Sequence, residues 1–260
     1  MIVAGFMSGT SMDALDCSIV DIFIDSNLNL NYKIIAKESF LFDESVINQI
    51  ISYIGCKDKV KIDKIDNFLG KEFLRLSRSF LSLHHFDYIS IHGQTIYHKN
   101  KVKSVQVGNP CYLGDYFNVP VIYNFRLKDI KSKGTGAPLM PFLDWLIFKK
   151  DTDGGIMTLN LGGISNISYI MLNKKDVLGF DTGPGMCLID QCVKKLWNES
   201  YDFNGEYSSY GTINKSMLNY LIDNCGYILS PPPKSTGREE FGEDYFNQIY
   251  NQYRNLNKFD

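Results

Sequence analysis

Two stretches of this chain set apolar runs against small-residue turns in the same order. The first begins with the apolar run Met1-Ile-Val-Ala-Gly-Phe6, passes through Met7-Ser-Gly-Thr-Ser-Met-Asp13, and continues as a second apolar run over residues 14–23. The second has Ile156-Met-Thr-Leu-Asn-Leu161, then Gly162-Gly163, then an apolar run over 164–172. Strand-like runs separated by glycine-rich turns predict β-hairpins. A third extended segment follows each hairpin, over 33–40 and 176–180, and then helical sequence. Asp43 is placed to cap a helix reaching about residue 54. Ile62, Ile65, Phe68, Leu69, Phe73, Leu76, Phe80 and Leu83 recur at three-four spacing, which predicts a long amphipathic core helix. Further strands are expected over 87–91, 102–107 and 119–123, with a helix over 111–117 between the last two. Residues 128–136 read as a loop, 138–149 as a helix, and two more helices begin near Met186 and Glu239.

Two units of three strands leading into helices predict a duplicated α/β fold. The layout is that of the two-lobed actin-like and sugar-kinase class (ribonuclease H-like), with lobes at 1–150 and 151–260. The turn cluster Asp151-Thr-Asp-Gly-Gly155 marks the boundary. The first unit continues through strands and helices over 87–149, and the second has no equivalent strands. The second lobe is therefore expected to be incomplete.

Composition narrows the class. The 260 residues are 44% hydrophobic and 22% charged with net charge −2, as in globular proteins with a sizeable core. Lysines are scattered rather than striped, which gives no footprint for nucleic acid. No apolar run approaches the ~18–20 residues that span a membrane, and no secretory signal is recognisable at the N-terminus. The six cysteines form no CxxC pair and read as reduced thiols of a cytoplasmic protein.

Four polar clusters fall at the ends of expected strands, where α/β folds place their ligands. In the first, Gly9 leaves backbone amides open, Ser8, Thr10 and Ser11 add hydroxyls, and Asp13 adds a carboxylate able to hold a magnesium ion through water. Such a turn suits a nucleotide phosphate, although an ordinary turn has the same composition. His92-Gly-Gln-Thr95 gathers polar side chains suited to a polyhydroxy ligand. Arg126, beside Asn124, is the third cluster, and a solvated charge is the plainer reading. In the fourth, Asp181 of Phe180-Asp-Thr-Gly-Pro-Gly185 reads equally well as a general base or as a helix cap. The loop Pro231-Pro-Pro-Lys-Ser-Thr-Gly-Arg238 carries Lys234, Ser235, Thr236 and Arg238, which fit a ligand contact and a surface turn equally.

Six ordered blocks resemble the anhydro-N-acetylmuramic acid kinases of bacterial cell-wall recycling. They are Gly5-Phe-Met-Ser-Gly-Thr-Ser-Met-Asp13 with Asp16, His92-Gly-Gln-Thr95, Gly134-Thr-Gly-Ala-Pro-Leu139, Asn160-Leu-Gly-Gly-Ile-Ser-Asn166, Phe180-Asp-Thr-Gly-Pro-Gly185 and Pro232-Pro-Lys-Ser-Thr-Gly-Arg238. The resemblance implies the actin-like kinase fold, ATP and Mg2+ as cofactors, and an anhydro-amino-sugar substrate. Phosphorylation at O6 would accompany opening of the 1,6-anhydro bridge by water. It further implies that Gly9, Thr10, Ser11, Met12, Asp13, Ala14, Leu15 and Asp16, with Gly162 and Gly163, lie on the ATP phosphates, and that Asp13 serves the metal. Asp181 would be the base, and His92, Thr95 and Arg126 would lie by the sugar.

The chain departs from the family pattern at Asn124 (usually Asp), Met186 (usually Asn), Asp144 (commonly His) and Ala14 (commonly Gly). Family members are also longer, their further segment closing over adenosine and adding an acid near the sugar. An active kinase, a shortened and inactive homologue, and a non-enzymatic nucleotide-binding relative of actin or Hsp70 are the three readings. The shortening predicts little turnover by this chain alone. A homodimer or a separately encoded C-terminal fragment are the open partner alternatives.

Overall fold

The computed structural model describes residues 1–9, 11–151, 154–237 and 240–260. It divides into two compact units, Met1–Leu139 and Met140–Asp260.

In the first unit, β1 (Ile2–Met7), β2 (Ala14–Ile24) and β3 (Leu30–Leu41) form an antiparallel meander. The chain then runs through α1 (Glu44–Ser52) and α2 (Lys59–Leu81) to β4 (Tyr88–Ile91), which pairs with β1 in parallel. The hairpin of β5 (Gln94–Lys99) and β6 (Lys103–Val107) stands apart from that sheet. Next come α3 (Cys111–Phe117), β7 (Val121–Ile122) and α4 (Phe125–Lys131). The five-stranded sheet has the order β3-β2-β1-β4-β7.

The core of this unit is a face of α2 against the sheet. Asp58 caps the helix by accepting from the Lys61 amide at 3.1 Å, and every fourth residue from Ile65 is buried: Ile65, Leu69, Phe73, Ser77 and Leu81. They cluster with Ala4, Phe6, Cys17, Ile19, Ile89 and Ile91 of the strands. Of the apolar positions that predict this helix, Ile62, Phe68, Leu76 and Phe80 flank the stripe half-buried, and Leu83 lies exposed beyond its end.

The second unit starts with α5 (Met140–Phe148) and continues through the meander β8 (Ile156–Leu161), β9 (Ile164–Ile170) and β10 (Leu178–Pro184). Helices α6 (Cys187–Trp197), α7 (Lys215–Asn224), α8 (Gly226–Leu229) and α9 (Glu243–Tyr253) follow. The sheet order β10-β9-β8 repeats the β3-β2-β1 order of the first unit. Ile164, Cys187, Cys225 and Phe241 make its core. β8 is a sheet edge, and its Met157, Leu159 and Leu161 are each about 60% exposed (62%, 60% and 59%).

The structure adds β5, α7 and α8 to the expected elements and differs from the pattern-based reading in three further places. The expected 128–136 loop begins inside a helix, α4 running over Phe125–Lys131 with Asn124 at its N-cap in the left-handed region at φ 63°. Asp181 lies within β10, not beyond a strand. The division between units falls before α5, ahead of the 151–155 turn cluster. The reason is packing: Asp144 of α5 is buried and its Oδ2 accepts from Thr158 Oγ1 of β8 at 2.8 Å and Ser168 Oγ of β9 at 2.6 Å. The departure from the family at Asp144 thus anchors α5 to its own unit's sheet.

Gly70 offers a test of the α2 packing. Alanine is worth about 1 kcal/mol over glycine in a helix interior, but a Cβ here would sit 2.5 Å from Asn109 O and 2.8 Å from Tyr112 Cδ2. Gly70→Ala should therefore destabilise the protein by about 1–3 kcal/mol, measured by urea denaturation. A gain in stability would show that α2 does not approach the 109–112 turn this closely.

Candidate active site

The β1–β2 turn is fixed from beneath by one buried amide. Ser8 Oγ donates to Gln94 Oε1 at 2.6 Å, and Gln94 Nε2 donates to Gly9 O at 3.2 Å. Gln94 is 1% exposed, so both of its polar ends must be satisfied within the fold. On the other side of the turn, Met12 N donates to Gly9 O at 3.2 Å, and Phe42 N donates to Asp13 O at 2.8 Å. Met12 adopts φ 61° and is only 2% exposed.

Met12, Ala14 and Leu15 therefore turn their side chains into the core, and only their backbone is left to meet a ligand. Ser11, Asp13 and Asp16 are exposed, and Ser11 Oγ donates to the Asp13 carboxylate. Thr10 lies outside the described residues. A Cβ on Gly9 would meet only ordinary contacts, Ser11 Oγ at 3.6 Å and Ser11 N at 4.0 Å, so packing alone does not demand glycine there. Two exposed carboxylates and a hydroxyl are hard oxygen donors that fit Mg2+, which takes one or two protein carboxylates and completes its shell with phosphate and water. Among the described residues no group of three or more His, Cys, Asp or Glu side chains could chelate a metal unaided.

His92 and Arg126 come together in the first unit, while Thr95 lies on β5 and accepts from Gln106. His92 follows β4, and a Cβ at the adjacent Gly93 (φ +74°) would lie 2.7 Å from Val107 O, so only glycine lets the chain turn here. Arg126 Nε donates to His92 Nε2 at 2.9 Å. That nitrogen must then be the acceptor, which leaves Nδ1–H to donate to Gly93 O at 2.7 Å. Burial, then the Arg126 charge, hold His92 well below the usual imidazole range, at about 4. His98 is lowered to about 4 by the same two causes. Two neutral imidazoles thus accompany one guanidinium. Asn124, exposed at the start of the helix that carries Arg126, takes a left-handed conformation that asparagine adopts readily.

Sequence reasoning missed the residues behind this cluster. Gln106 Nε2 donates to Thr95 Oγ1 at 3.2 Å and to Ser104 Oγ at 2.6 Å, and Ser104 Oγ lies 3.2 Å from His98 Nδ1. Gln94 stood within a recognised block, but nothing in the block reveals a tether to Ser8, 86 residues away. The Gly134–Gly136 block is architectural: Gly136 N donates to Asp129 Oδ2 at 2.7 Å, and a Cβ on Gly134 would collide with that carboxylate. A cavity of about 680 Å³ opens over this side of the unit, lined among others by Met7, Asp16, Lys37, Ser90, His92 and Phe125.

In the second unit Asp181 is 7% exposed. Its backbone N–H donates to Lys234 O at 3.1 Å, its carbonyl accepts from Tyr227 Oη at 2.9 Å, and its Oδ2 accepts from Thr236 N at 2.9 Å. Burial, then the Asp181 charge, push the Tyr227 hydroxyl well above the usual phenol range. Asp181 does not cap α6. The N-cap is Met186, which makes no side-chain cap. The Gly-Gly turn caps that helix instead: Gly162 O accepts from Met186 N at 2.9 Å, and Gly163 O from Gly185 N at 3.0 Å and Cys187 N at 3.2 Å. A Cβ on Gly185 would lie 2.2 Å from Gly162 O, which explains glycine at that position. Lys234 and Thr236 face α8, Asp181 and Glu240, and Arg238 lies outside the described residues.

The two depressed histidines set a pH dependence. Below about 6.5 the unfolded chain takes up protons that the folded chain refuses until about 4. Stability is thus fully present above about pH 6.5 and falls as pH drops from there toward 4. Denaturant midpoints measured between pH 7 and 4.5 should decline, and His92→Gln should flatten the decline. An equal slope in that variant would contradict a neutral, buried His92.

The family model described as anhydro-N-acetylmuramic acid kinase matches residues 1–259. A protein of that name from Clostridioides difficile (strain 630) is 36% identical over 277 aligned residues, covering 100% of this chain and 71% of the relative. Its namesake from Bacillus cereus (strain ATCC 10987 / NRS 248) is 35% identical, covering 99% of this chain and 70% of the relative. Among solved structures, Thermus thermophilus RuvC overlaps 57% of this chain and 78% of its own at 12% identity and a TM-score of 0.28, too slight a likeness to bear on the fold. From the end-to-end family match and the identity to these relatives, the chain belongs to the anhydro-N-acetylmuramic acid kinase family.

Proposed function

We propose that this protein is an ATP- and Mg2+-dependent kinase of 1,6-anhydro-N-acetylmuramic acid, acting in the cytoplasm in peptidoglycan recycling. Asp181 takes a proton from water as that water attacks the anomeric carbon. The C1–O6 bond breaks, O6 receives the γ-phosphoryl group, and ADP and N-acetylmuramate 6-phosphate leave. The single observation that supports this most is the buried Asp181 carboxylate, held by the backbone amide of Thr236 at 2.9 Å.

The β1–β2 turn takes the ATP phosphates through its backbone amides, Ser11 and Asp16, with Asp13 serving Mg2+. When bound, the metal supplies neutralisation of the phosphate charge. Gly162 and Gly163 belong to the same phosphate-binding set, their carbonyls being occupied by α6. His92, Thr95 and Arg126 take the sugar, the guanidinium and the hydroxyl offering donors to its oxygen atoms. The actin-like fold is supported by the three-strand meander that recurs in each unit. The exposed apolar edge of β8 favours a second reading, a homologue that binds the sugar without turning it over.

Sugar-dependent ADP release from ATP and Mg2+ distinguishes the two. The kinase reading expects such release, and expects Asp181→Asn to lower it by at least ~10²-fold, the usual worth of a general base. Near-normal turnover in the variant would remove Asp181 from the role of base. Sugar-dependent thermal stabilisation with no ADP release would favour the second reading.

A further inference from the structure

We propose that Lys234 and Tyr227 form a closed clamp that positions the carboxylate of Asp181, giving the 231–236 loop a role in setting the base rather than in touching ligand. This rests on the reading of Asp181 given above. The observations form a ring of contacts. Lys234 Nζ donates to Tyr227 O at 2.7 Å and Ile228 O at 3.0 Å, carbonyls at the end of the short helix α8. The same ammonium sits 4.6 Å from the centre of the Tyr227 ring. Tyr227 Oη donates to Asp181 O, and the Lys234 carbonyl accepts from Asp181 N, which closes the ring. Both backbone polar groups of Asp181 are therefore engaged by this one pair of residues.

The consequence falls on the side chain. Two residues beyond Lys234, Thr236 N donates to Asp181 Oδ2 at 2.9 Å. Thr236 is held in turn by Oγ1 donating to Glu240 Oε2 at 2.8 Å. Asp181 lies on β10 at a bulge, where its register against β9 shifts between Asp181 and Gly183. A bulge re-aims a side chain, and at this one the strand's outer edge has the loop, rather than another strand, as its partner. The clamp lies two residues from Thr236 and helps to set where its amide stands. Tyr227 from α8 feels the charges of Asp181 and Glu240, and Lys234 meets Asp181 through its backbone carbonyl, its ammonium being turned to the carbonyls of α8.

A hydrogen bond to the charged form lowers a carboxyl pKa, so loosening the clamp should raise that of Asp181. The test is a 13C titration of the side-chain carboxyls in the full chain labelled at aspartate, with the Asp181 signal assigned by its loss in Asp181→Asn. Lys234→Met should move the Asp181 midpoint upward by at least about half a unit. Tyr227→Phe, which keeps the ring in place, should move it the same way, and Lys234→Arg should restore it. A midpoint unmoved in both Lys234→Met and Tyr227→Phe would overturn the proposal. In the turnover assay the same two variants should lower kcat by roughly 10-fold, as expected for a displaced catalytic group, with KM for ATP changed less than twofold. A fall in kcat with no shift in the titration would also overturn it, because a general loss of structure gives that result. The titration needs no turnover, so it separates the two readings. If Asp181→Asn keeps full activity while the midpoints shift, Asp181 is positioned as described but is not the base.

Discussion

The contact of α2 with the five-stranded sheet is the constraint on which the first unit depends. Ile65, Leu69, Phe73 and Leu81 are fully buried at an interval of four or eight residues. Each such side chain contributes about 1.5–3 kcal/mol by leaving water. They meet β1, β2 and β4, the neighbouring strands in the middle of the sheet, and two of the polar groups singled out in this unit hang from the ends of β1 and β4. The β1–β2 turn leaves the end of β1, and His92 follows the end of β4. A helix that packed one residue out of phase would move both.

Polar groups buried at those strand ends do the finer positioning. Gln94 uses both ends of its amide to join the β1–β2 turn to β5, while Arg126 and Gly93 between them occupy both nitrogens of His92. The second unit uses the same economy in another form. Its Gly-Gly turn caps α6 with backbone carbonyls, and its loop after α8 completes the edge of β10. In both units a functional side chain is held by backbone or amide groups far from it in sequence.

The alternation of apolar and small residues made both hairpins and the third strand of each meander legible, because a period of two is written locally. The three-four spacing made α2 legible for the same reason. The start of α4 was hidden because Phe125–Lys131 buries no residue and so carries no apolar stripe, and because its N-cap Asn124 looks like a turn residue. Asp181 was placed beyond a strand because Gly183 and Pro184 read as a turn, whereas a bulge lets the strand continue through them. The motif blocks singled out His92, Thr95 and Asp181, and the polar cluster beside Asn124 singled out Arg126. They could not single out Gln106 or Tyr227, whose places are defined only by contacts between distant segments, or show that Lys234 turns to α8. The departures at Asp144 and Asn124 become intelligible only with the fold, the first as an anchor of α5 and the second as a left-handed cap.

Met12 gives the β1–β2 turn a property that its exposed neighbours conceal. Its backbone is left-handed while its side chain sits in the core, so the turn cannot change shape without drawing a thioether out of packed surroundings. Motions that would let such a turn sample many shapes are therefore tied to opening of the core itself. The conformational entropy of Met12 is lost when the chain folds, not when an anion arrives. A ligand meeting the Met12 side of the turn would find its backbone already in place, and would be spared there the ordering cost that mobile loops impose.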